Sequence, residues 1–203
     1  MKLERNFYKR DTLLVAKELL GKILVHEVNG IRLSGKIVET EAYMGKTDKA
    51  AHSYGGKKTP KIEPMYGEGG FSYVYFVYGS CYCFNAVTRE AGTPEAVLIR
   101  AAEPVSGLEE MSQNRFKKPY EKLTHKEIKN LTNGPGKLCS AFLINKDLNK
   151  KDLCSDRFYI ESSKEKENFE IVSAKRIGID YAEEAKDFLW RFYIKDNDFV
   201  SKK

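Results

Sequence analysis

The sequence is poor in metal-ligating residues. It contains four cysteines, none of them in a C-x-x-C pair, and three histidines. Structural zinc sites, by contrast, draw their ligands from closely spaced pairs of these residues. We therefore predict no metal site, and we interpret the four cysteines as the reduced thiols of a reducing compartment.

Long apolar runs are missing as well. No stretch approaches the about 18 consecutive apolar residues of a membrane-spanning helix. The first six residues carry charges of both signs where a secretory signal would have an apolar segment. We expect an intracellular protein without a membrane partner. The rest of the composition, with 41% hydrophobic and 32% charged residues in 203 positions, is typical of one globular domain.

What the chain does have is an excess of positive charge, +6 in all, which is unevenly distributed. Residues 115–137 hold seven lysines and arginines against two acids. A second basic cluster contains Lys57, Lys58 and Lys61. Such clusters are either solvated surface or a binding surface for a polyanion, whose condensed counterions are released on binding. Charge alone leaves both interpretations open.

The spacing of apolar residues predicts a mixture of helices and strands. Asp11 can cap a helix whose apolar residues recur at helical spacing as far as Gly21. Runs rich in β-branched and aromatic residues predict strands, and Gly79-Ser80 predicts a tight hairpin turn. The predicted strands are residues 22–26, 32–43, the two arms of a hairpin within 72–87, 96–101, 157–161, 169–179 and 191–194.

In the second half of the chain the pattern changes to helices. Capping-box sequences begin at Ser106 and Thr124, and a further helix is predicted over residues 134–144. We predict a single α+β domain over residues 1–203, with residues 112–130 as a mobile excursion.

Two acids share one face of the predicted strand at residues 32–43. Because strand side chains alternate, Glu39, Glu41 and Tyr43 point to the same side. Buried acids are costly without partners, so this face is either solvated or specialised. A carboxylate next to Tyr43 could activate a water molecule. Composition alone favours the solvated face.

Aromatic residues cluster before the middle of the chain, where seven of the twelve tyrosines fall between positions 43 and 82. On the predicted hairpin, Tyr73 and Tyr75 share one face and Tyr78 enters the turn. His52 follows two alanines, which are small enough to let another molecule approach. Tyrosines on strands are usually core residues, and a single histidine is usually structural. Tyrosines between basic loops, however, are also typical of surfaces that stack nucleic-acid bases.

Six motifs resemble those of the alkyladenine (3-methyladenine) DNA glycosylase family. They stand in the family's order, and the similarity runs from about Thr12 to Ser201. Several are long and specific. The motifs are IVETEAYMG at 37–45, DKAAHS at 48–53, YVYFVYG at 73–79, CFN at 83–85, VLIRAAEP at 97–104 and NGPGKLC at 133–139.

The resemblance implies roles for particular residues. Glu41 matches the acid that activates the attacking water, and Arg100 matches the arginine that helps to hold this water. Asn85 matches a residue at the pocket floor that disfavours the exocyclic amino group of guanine. Tyr78 matches the side chain that enters the duplex and fills the space vacated by the flipped base. The other matches are base-stacking contacts at Tyr43, His52 and Tyr75, main-chain pocket contacts at Ala50 and Ile177, and, more loosely, DNA contacts at Lys57 and Lys137.

The resemblance also implies a fold and a function. The fold is a single α+β domain around a curved, mostly antiparallel, open-barrel-like β-sheet flanked by helices. The function is base-excision repair. A monofunctional glycosylase flips alkylated or deaminated purines out of double-stranded DNA and hydrolyses the N-glycosidic bond with an activated water, leaving an abasic site. No cofactor or metal is implied, and we expect a monomer in the bacterial cytoplasm or nucleoid rather than in a nucleus.

Two departures from the family pattern concern DNA contacts. Tyr54 and Glu63 stand where basic residues often follow the His-Ser pair, and residues 112–130 match no pattern. Charge and aromatic residues alone leave two other functions open. One is a non-catalytic module that binds damaged DNA, which would have no need for Glu41 beside Tyr43. The other is an enzyme that acts on RNA. The resemblance favours the DNA glycosylase.

Overall fold

The computed structural model describes residues 1–77, 79, 81–163 and 168–203, and its regular elements are short helices and antiparallel strands. The strands are β1 (Ile23–Val28), β2 (Ile31–Tyr43), β3 (Ser72–Val77), β4 (Cys81–Thr88), β5 (Glu95–Ser106), β6 (Phe158–Glu161), β7 (Ile171–Ala174) and β8 (Arg191–Ile194). The helices are α1 (Arg5–Tyr8), α2 (Thr12–Glu18), α3 (Leu108–Phe116), α4 (His125–Lys129) and α5 (Pro135–Ala141).

Strand β2 organises the sheet. The main path of the sheet is β3-β4-β5-β2-β1-β6, and all pairings among the described strands are antiparallel. The first part of β2 pairs with β1 and its last part pairs with β8, while β5 follows its other side. Register shifts next to Glu39 are β-bulge irregularities, which bend a strand and increase its twist. The sheet curls into a half-barrel, so the predicted α+β class and curved, mostly antiparallel sheet are confirmed.

Helix α2 packs against the centre of β2. The Asp11 carboxylate accepts a hydrogen bond from the Leu14 amide at 3.1 Å, which confirms the predicted cap. Val15 and Ala16 are fully buried. The Thr40 hydroxyl donates to the Ala16 carbonyl at 2.8 Å and ties the helix to the strand that carries the two acids.

The two predicted capping boxes have different outcomes. Thr124 and Glu127 form both reciprocal bonds of a capping box at the start of α4. The box predicted at Ser106 is wrong, because β5 extends to Ser106 and the hydroxyl of this residue bonds the Ser34 hydroxyl at 2.7 Å. Gly107, with a φ of 76°, precedes α3 instead.

Residues 112–130 contain the end of α3, a 3-10 turn and α4. Met111 and Ser112 are fully buried where α3 meets the core, and Leu123 is buried between the 3-10 turn and α4. The mobility of this segment stays a prediction.

Two predicted elements are longer than the observed ones. The helix predicted over 134–144 ends at Ala141. The strand predicted over 169–179 is confined to β7, because Arg176 leaves the strand and turns its guanidinium into the interior. Gly178 follows with a φ of 77°, a conformation that favours glycine.

Candidate active site

The last part of β2 carries two acids that are fully buried. Glu39, Thr40 and Glu41 are each 0% exposed, so the interpretation of this strand face as solvated is wrong. The register shifts on either side of Glu39 place both carboxylates within reach of Arg100, which β5 supplies from the neighbouring position in the sheet. Buried acids require such partners.

Glu41 is held by three donors. The Ile177 amide donates to it at 2.8 Å, the Tyr43 hydroxyl donates at 2.9 Å, and Arg100 Nη1 lies 3.2 Å from Glu41 Oε1. Burial raises the pKa of Glu41, and the charge of Arg100 followed by the two hydrogen bonds opposes this rise. The carboxyl is therefore a stronger base than an exposed glutamate.

Glu39 has a separate set of partners. Arg100 Nε and Arg191 Nη1 each donate to Glu39 Oε1 at 3.0 Å. The Ser201 amide donates to Oε2 at 2.7 Å, and the Ser201 hydroxyl donates to Oε1 at 2.9 Å. Arg100 thus bridges two carboxylates that come from the same strand.

A cavity of about 260 Å³ opens in front of Glu41. Glu41 does not itself line this cavity; it lies behind Tyr43, Arg100 and Ile177, which do. The site residues predicted from the sequence that line the cavity are Tyr43, Ala50, His52, Tyr75, Asn85, Arg100 and Ile177. The structure therefore places these seven residues around one cavity, with Glu41 directly behind it.

Aromatic rings form one wall of the cavity. Tyr73 and Tyr75 are stacked with centroids 5.2 Å apart, and His52 meets Tyr75 edge-on at 4.6 Å. His52 Nδ1 is hydrogen-bonded to the Tyr73 hydroxyl at 2.9 Å, which fixes the imidazole although it stays accessible to solvent. Partial desolvation and then the charge of Lys61 lower the pKa of His52, so its ring is neutral at pH 7.

Asn85 is fixed by the sheet. It pairs with Tyr73 across the β3–β4 hairpin, and its Nδ2 donates to the Tyr73 carbonyl at 3.1 Å. The side chain is buried and lines the cavity. Its polar atoms therefore have one orientation toward any bound molecule.

A buried ion pair supports the other side of the cavity. Arg176 Nη2 donates to Asp48 Oδ1 at 2.8 Å, its Nη1 donates to Oδ2 at 2.5 Å, and both side chains are 0% exposed. Asp48 also accepts from the amide of Ala50 at 3.0 Å. The Arg176 guanidinium lies 4.8 Å from the centroid of the Tyr43 ring, and Ile177 is the next residue in the chain. One ion pair thus holds three parts of the cavity.

The structure gives less information about the three residues predicted to contact DNA than about the cavity. Tyr78 lies outside the described residues, between β3 and β4. Lys57 is exposed on a loop. Lys137 is half-buried on α5, where its Nζ donates to Asn130 Oδ1 at 2.6 Å and to Asn133 Oδ1 at 2.8 Å. The DNA-binding role of all three stays a prediction.

Sequence reasoning missed part of the site. Asp48 lies inside the motif at 48–53 and Arg176 precedes Ile177, and the signal that could have found them is the pairing of an acid and a base next to predicted pocket residues. Tyr181 could have been noticed only as an unexplained aromatic residue; it is 69% exposed at the edge of the cavity. The other lining residues are Met65, Tyr73, Val77, Cys83, Leu98, Pro135, Gly178 and Ile179.

Two features are absent from the residues that the structure describes. Over the residues with described positions, no group of three or more His, Cys, Asp or Glu side chains is arranged to hold a metal ion. No helix in the described ranges is both long enough and apolar enough to cross a membrane.

The arrangement can bind a flat ring and activate a nucleophile. Tyrosine faces attract electron-poor or cationic rings. A buried carboxylate with a raised pKa can accept a proton from water. The fold and the cavity are therefore suited to a hydrolytic enzyme that encloses an aromatic base.

Comparison with known proteins agrees with this class. The family model described as methylpurine-DNA glycosylase (MPG) matches residues 6–198, and the chain belongs to this family. A protein of Clostridium acetobutylicum named "Putative 3-methyladenine DNA glycosylase" is 64% identical over 99% of this chain and 98% of its own length. Proteins of the same name from Desulfitobacterium hafniense and Clostridium tetani are 62% and 59% identical, and the alignments cover 99% and 100% of their lengths.

Proposed function

We propose that this protein is a monofunctional 3-methyladenine-type DNA glycosylase of base-excision repair. It flips an alkylated or deaminated purine out of double-stranded DNA and hydrolyses the N-glycosidic bond with an activated water, leaving an abasic site. The observation that carries the proposal is the fully buried Glu41, held by Arg100, Ile177 and Tyr43 directly behind an aromatic cavity. The family and its relatives support the substrate class.

The cavity is suited to a cationic base. A damaged purine leaves the stack at a cost of a few kcal/mol, less than for an intact pair. Tyr43 and Tyr75 then offer π-faces to the alkylated ring, whose positive charge strengthens the contact. Because His52 is neutral at pH 7, it adds no charge that would repel the base.

Glu41 performs the chemical step. As the C1′–N bond lengthens, the sugar acquires oxocarbenium character, and water attacks from the opposite face. The ionised Glu41 takes a proton from this water and stabilises the developing cation. Arg100, 3.2 Å away, favours the ionised form and helps to hold the water.

We propose water, rather than an amine of the protein, as the nucleophile. A glycosylase that also cleaves the strand forms a covalent intermediate through an amine. Among the residues that the structure describes, no lysine lines the cavity, although Lys61 Nζ lies 5.8 Å from the centroid of the Tyr75 ring. A cationic base leaves without a proton donor, whereas a neutral base such as hypoxanthine takes a proton from solvent, and the proposed reaction needs no cofactor.

The β3–β4 hairpin is the proposed wedge into the duplex. Phe76 is 49% exposed and Val77 is 38% exposed at the end of β3, immediately before Tyr78. Apolar side chains at such a position can enter a base step and replace lost stacking. Lys57 and Lys137 are proposed phosphate contacts. The protein acts on DNA as a monomer. Because bacterial DNA lies in the cytoplasm, this is also where the protein acts.

The test is excision from defined duplexes. The protein is incubated with oligonucleotide duplexes that each carry one 3-methyladenine, 7-methylguanine, hypoxanthine or ethenoadenine, and an undamaged duplex is the control. Alkali then converts abasic sites to strand breaks. We expect breaks at the lesion only after alkali. Breaks before alkali contradict the monofunctional assignment, and no breaks on any lesion contradict the proposed activity.

A further inference from the structure

We propose that Glu39 is a positioning residue which holds Arg100 in place and limits how strongly Arg100 acts on Glu41. This proposal rests on the proposed function, because it takes Glu41 as the base. Glu39 does not line the cavity, and the reaction described above leaves it without a role.

The contacts of Glu39 are those of a built site. Four donors converge on its fully buried carboxylate: Arg100 Nε, Arg191 Nη1, and the amide and hydroxyl of Ser201, all within 3.0 Å. They come from β5, β8 and the C-terminal segment. Hydrogen bonds to an ionised group are stronger than neutral ones, so this set holds the Glu39 carboxylate and the Arg100 guanidinium in one orientation.

The charges around Arg100 are balanced. Glu39 and Glu41 supply two negative charges, and Arg100 and Arg191 supply two positive charges. Glu39 binds Arg100 through Nε, and Glu41 lies against Nη1 of the same guanidinium. The negative charge of Glu39 therefore offsets part of the positive potential that Arg100 produces at Glu41, and it adds to the rise in the pKa of Glu41.

Other groups near Glu41 do not replace this effect. The Tyr43 hydroxyl and the Ile177 amide contact Glu41 and carry no charge. Tyr75 and Cys83 lie within electrostatic reach, and burial raises the pKa of both, so they stay neutral at pH 7. Without the negative charge of Glu39, the positive charge of Arg100 is no longer partly offset at Glu41. The pKa of Glu41 then falls, and Glu41 becomes a weaker base.

The test is the pH profile of Glu39→Gln. Single-turnover base release is measured on a duplex with one 7-methylguanine, whose cationic ring needs no proton to leave. Because the charge of Glu39 raises the pKa of Glu41 and the substitution removes this contribution, we expect the acidic limb of the Glu39→Gln profile at a lower pH than that of the wild type. Glu103→Gln is the matched control, because Glu103 lies on β5 but pairs with Lys36 and Asn197. Its limb should not move.

A second variant tests the proposal if Glu39→Gln is too unstable to assay. Glu39→Gln leaves two buried arginines beside one carboxylate, which is costly. The double variant Glu39→Gln/Arg191→Met restores the charge balance and should shift the limb in the same direction but by less, because Arg191 lies opposite Glu41 in the sheet and its charge also favours the ionised form of Glu41. A limb at the wild-type pH in both variants, together with an unmoved titration midpoint of the Glu41 carboxyl, overturns the proposal.

Carbon NMR of the Glu41 carboxyl gives a readout without DNA. Its titration midpoint should fall in Glu39→Gln, and an unmoved midpoint overturns the proposal whatever the enzyme activity. A midpoint that falls while the limb of base release stays in place supports the coupling of Glu39 to Glu41 but shows that Glu41 is not the base. The failure of the two proposals is thus distinguishable.

Discussion

The Asn85 side chain is a fixed element of the cavity. Its Nδ2 is held by the Tyr73 carbonyl, so its polar atoms cannot turn to suit a different ligand. One N–H of Nδ2 is used in this bond, and the second is left without an acceptor when the bound base presents a donor to it, so such a base is disfavoured. The exocyclic amino group of guanine is such a donor.

We therefore expect Asn85→Ala or Asn85→Ser to relax specificity. Excision of normal guanine should rise relative to excision of hypoxanthine, since a steric and a polar obstacle are both removed. The measurement is the ratio of single-turnover rates on two otherwise identical duplexes. An unchanged ratio would show that Asn85 does not select the base.

The motifs identified residues that lie together in the structure, where Glu41 contacts Tyr43 and Arg100. Their roles in binding and catalysis stay predictions. The sequence could not predict that the acids are buried, because partners such as Arg191 and Ser201 are more than 150 positions away from them in the chain. Local alternation does not report a β-bulge, and the bulge decides which carboxylate reaches which donor.

Hairpin β3–β4 joins the cavity to the proposed wedge. Tyr73, Tyr75 and Val77 line the cavity from one face of β3, as strand alternation requires. The segment after Val77 is therefore a short distance along the chain from the aromatic wall of the cavity. Tyr78, which follows Val77 in the sequence, stays the residue proposed to enter the duplex.

Replacement of Tyr78 by serine should weaken binding to a lesion duplex without loss of the fold. A side chain at a turn contributes little to the core, whereas an inserted ring offsets lost base stacking. Gel-shift affinity and thermal unfolding are measured on the same preparation. If unfolding instead becomes easier by several kcal/mol, Tyr78 is a core residue and the wedge assignment is wrong.

The Asp48–Arg176 pair connects the loop after β2 to the segment after β7. Asp48→Ala removes the partner of a fully buried guanidinium, and such a loss typically costs about 3–5 kcal/mol. We expect a fall of this size in the free energy of unfolding, measured by denaturant titration. Asp187→Ala is the control, because the Asp187–Lys175 pair is exposed and its loss should change stability little. Equal effects of the two variants would contradict the structural role of the buried pair.

Errors in the predicted elements have a common cause. Ser106 has the sequence of a helix cap, but its hydroxyl is taken by a partner on β2. The strand predicted over 169–179 stops early because Arg176 gains a buried ion pair by leaving the sheet. In each case a contact between distant segments outweighs a local preference of a few tenths to about 1 kcal/mol.

The positive charge of the whole chain suits a DNA substrate. With a net charge of +6, binding should weaken steeply as salt is added, because counterions are released from the phosphates. Each lost phosphate contact lowers the slope of log K against log salt by about 0.9. The exposed Lys57 is one proposed contact of this kind.

Lys57→Ala should accordingly reduce the salt slope by about one for damaged and undamaged duplexes alike. The measurement is a fluorescence-anisotropy titration at several salt concentrations. Lys195→Ala is the control, since Lys195 pairs with Glu170 and lies outside the proposed interface. A slope that is the same in Lys57→Ala and the wild type would remove Lys57 from the interface.

The periodicity of the sequence could not predict the curvature of the sheet. The sequence predicted the hairpin over residues 72–87, and the resemblance implied a curved, mostly antiparallel sheet. The physical cause is visible only in the pairing of β2, which has β1 and then β8 on one side and β5 on the other. A long strand with bulges and two successive partners has to curl, and the curl brings Ile177 against Glu41.

Base release by Glu41→Gln separates an enzyme from a module that only binds damaged DNA. The substitution keeps the size of the side chain but removes the charge and the ability to accept the proton of water. General-base catalysis contributes about 10²–10⁴-fold, so single-turnover release should fall by at least about 10²-fold while gel-shift affinity for lesion duplex persists. Glu103→Gln, measured in parallel, should retain full activity. Near-wild-type release by Glu41→Gln would contradict the assignment of Glu41 as the catalytic base.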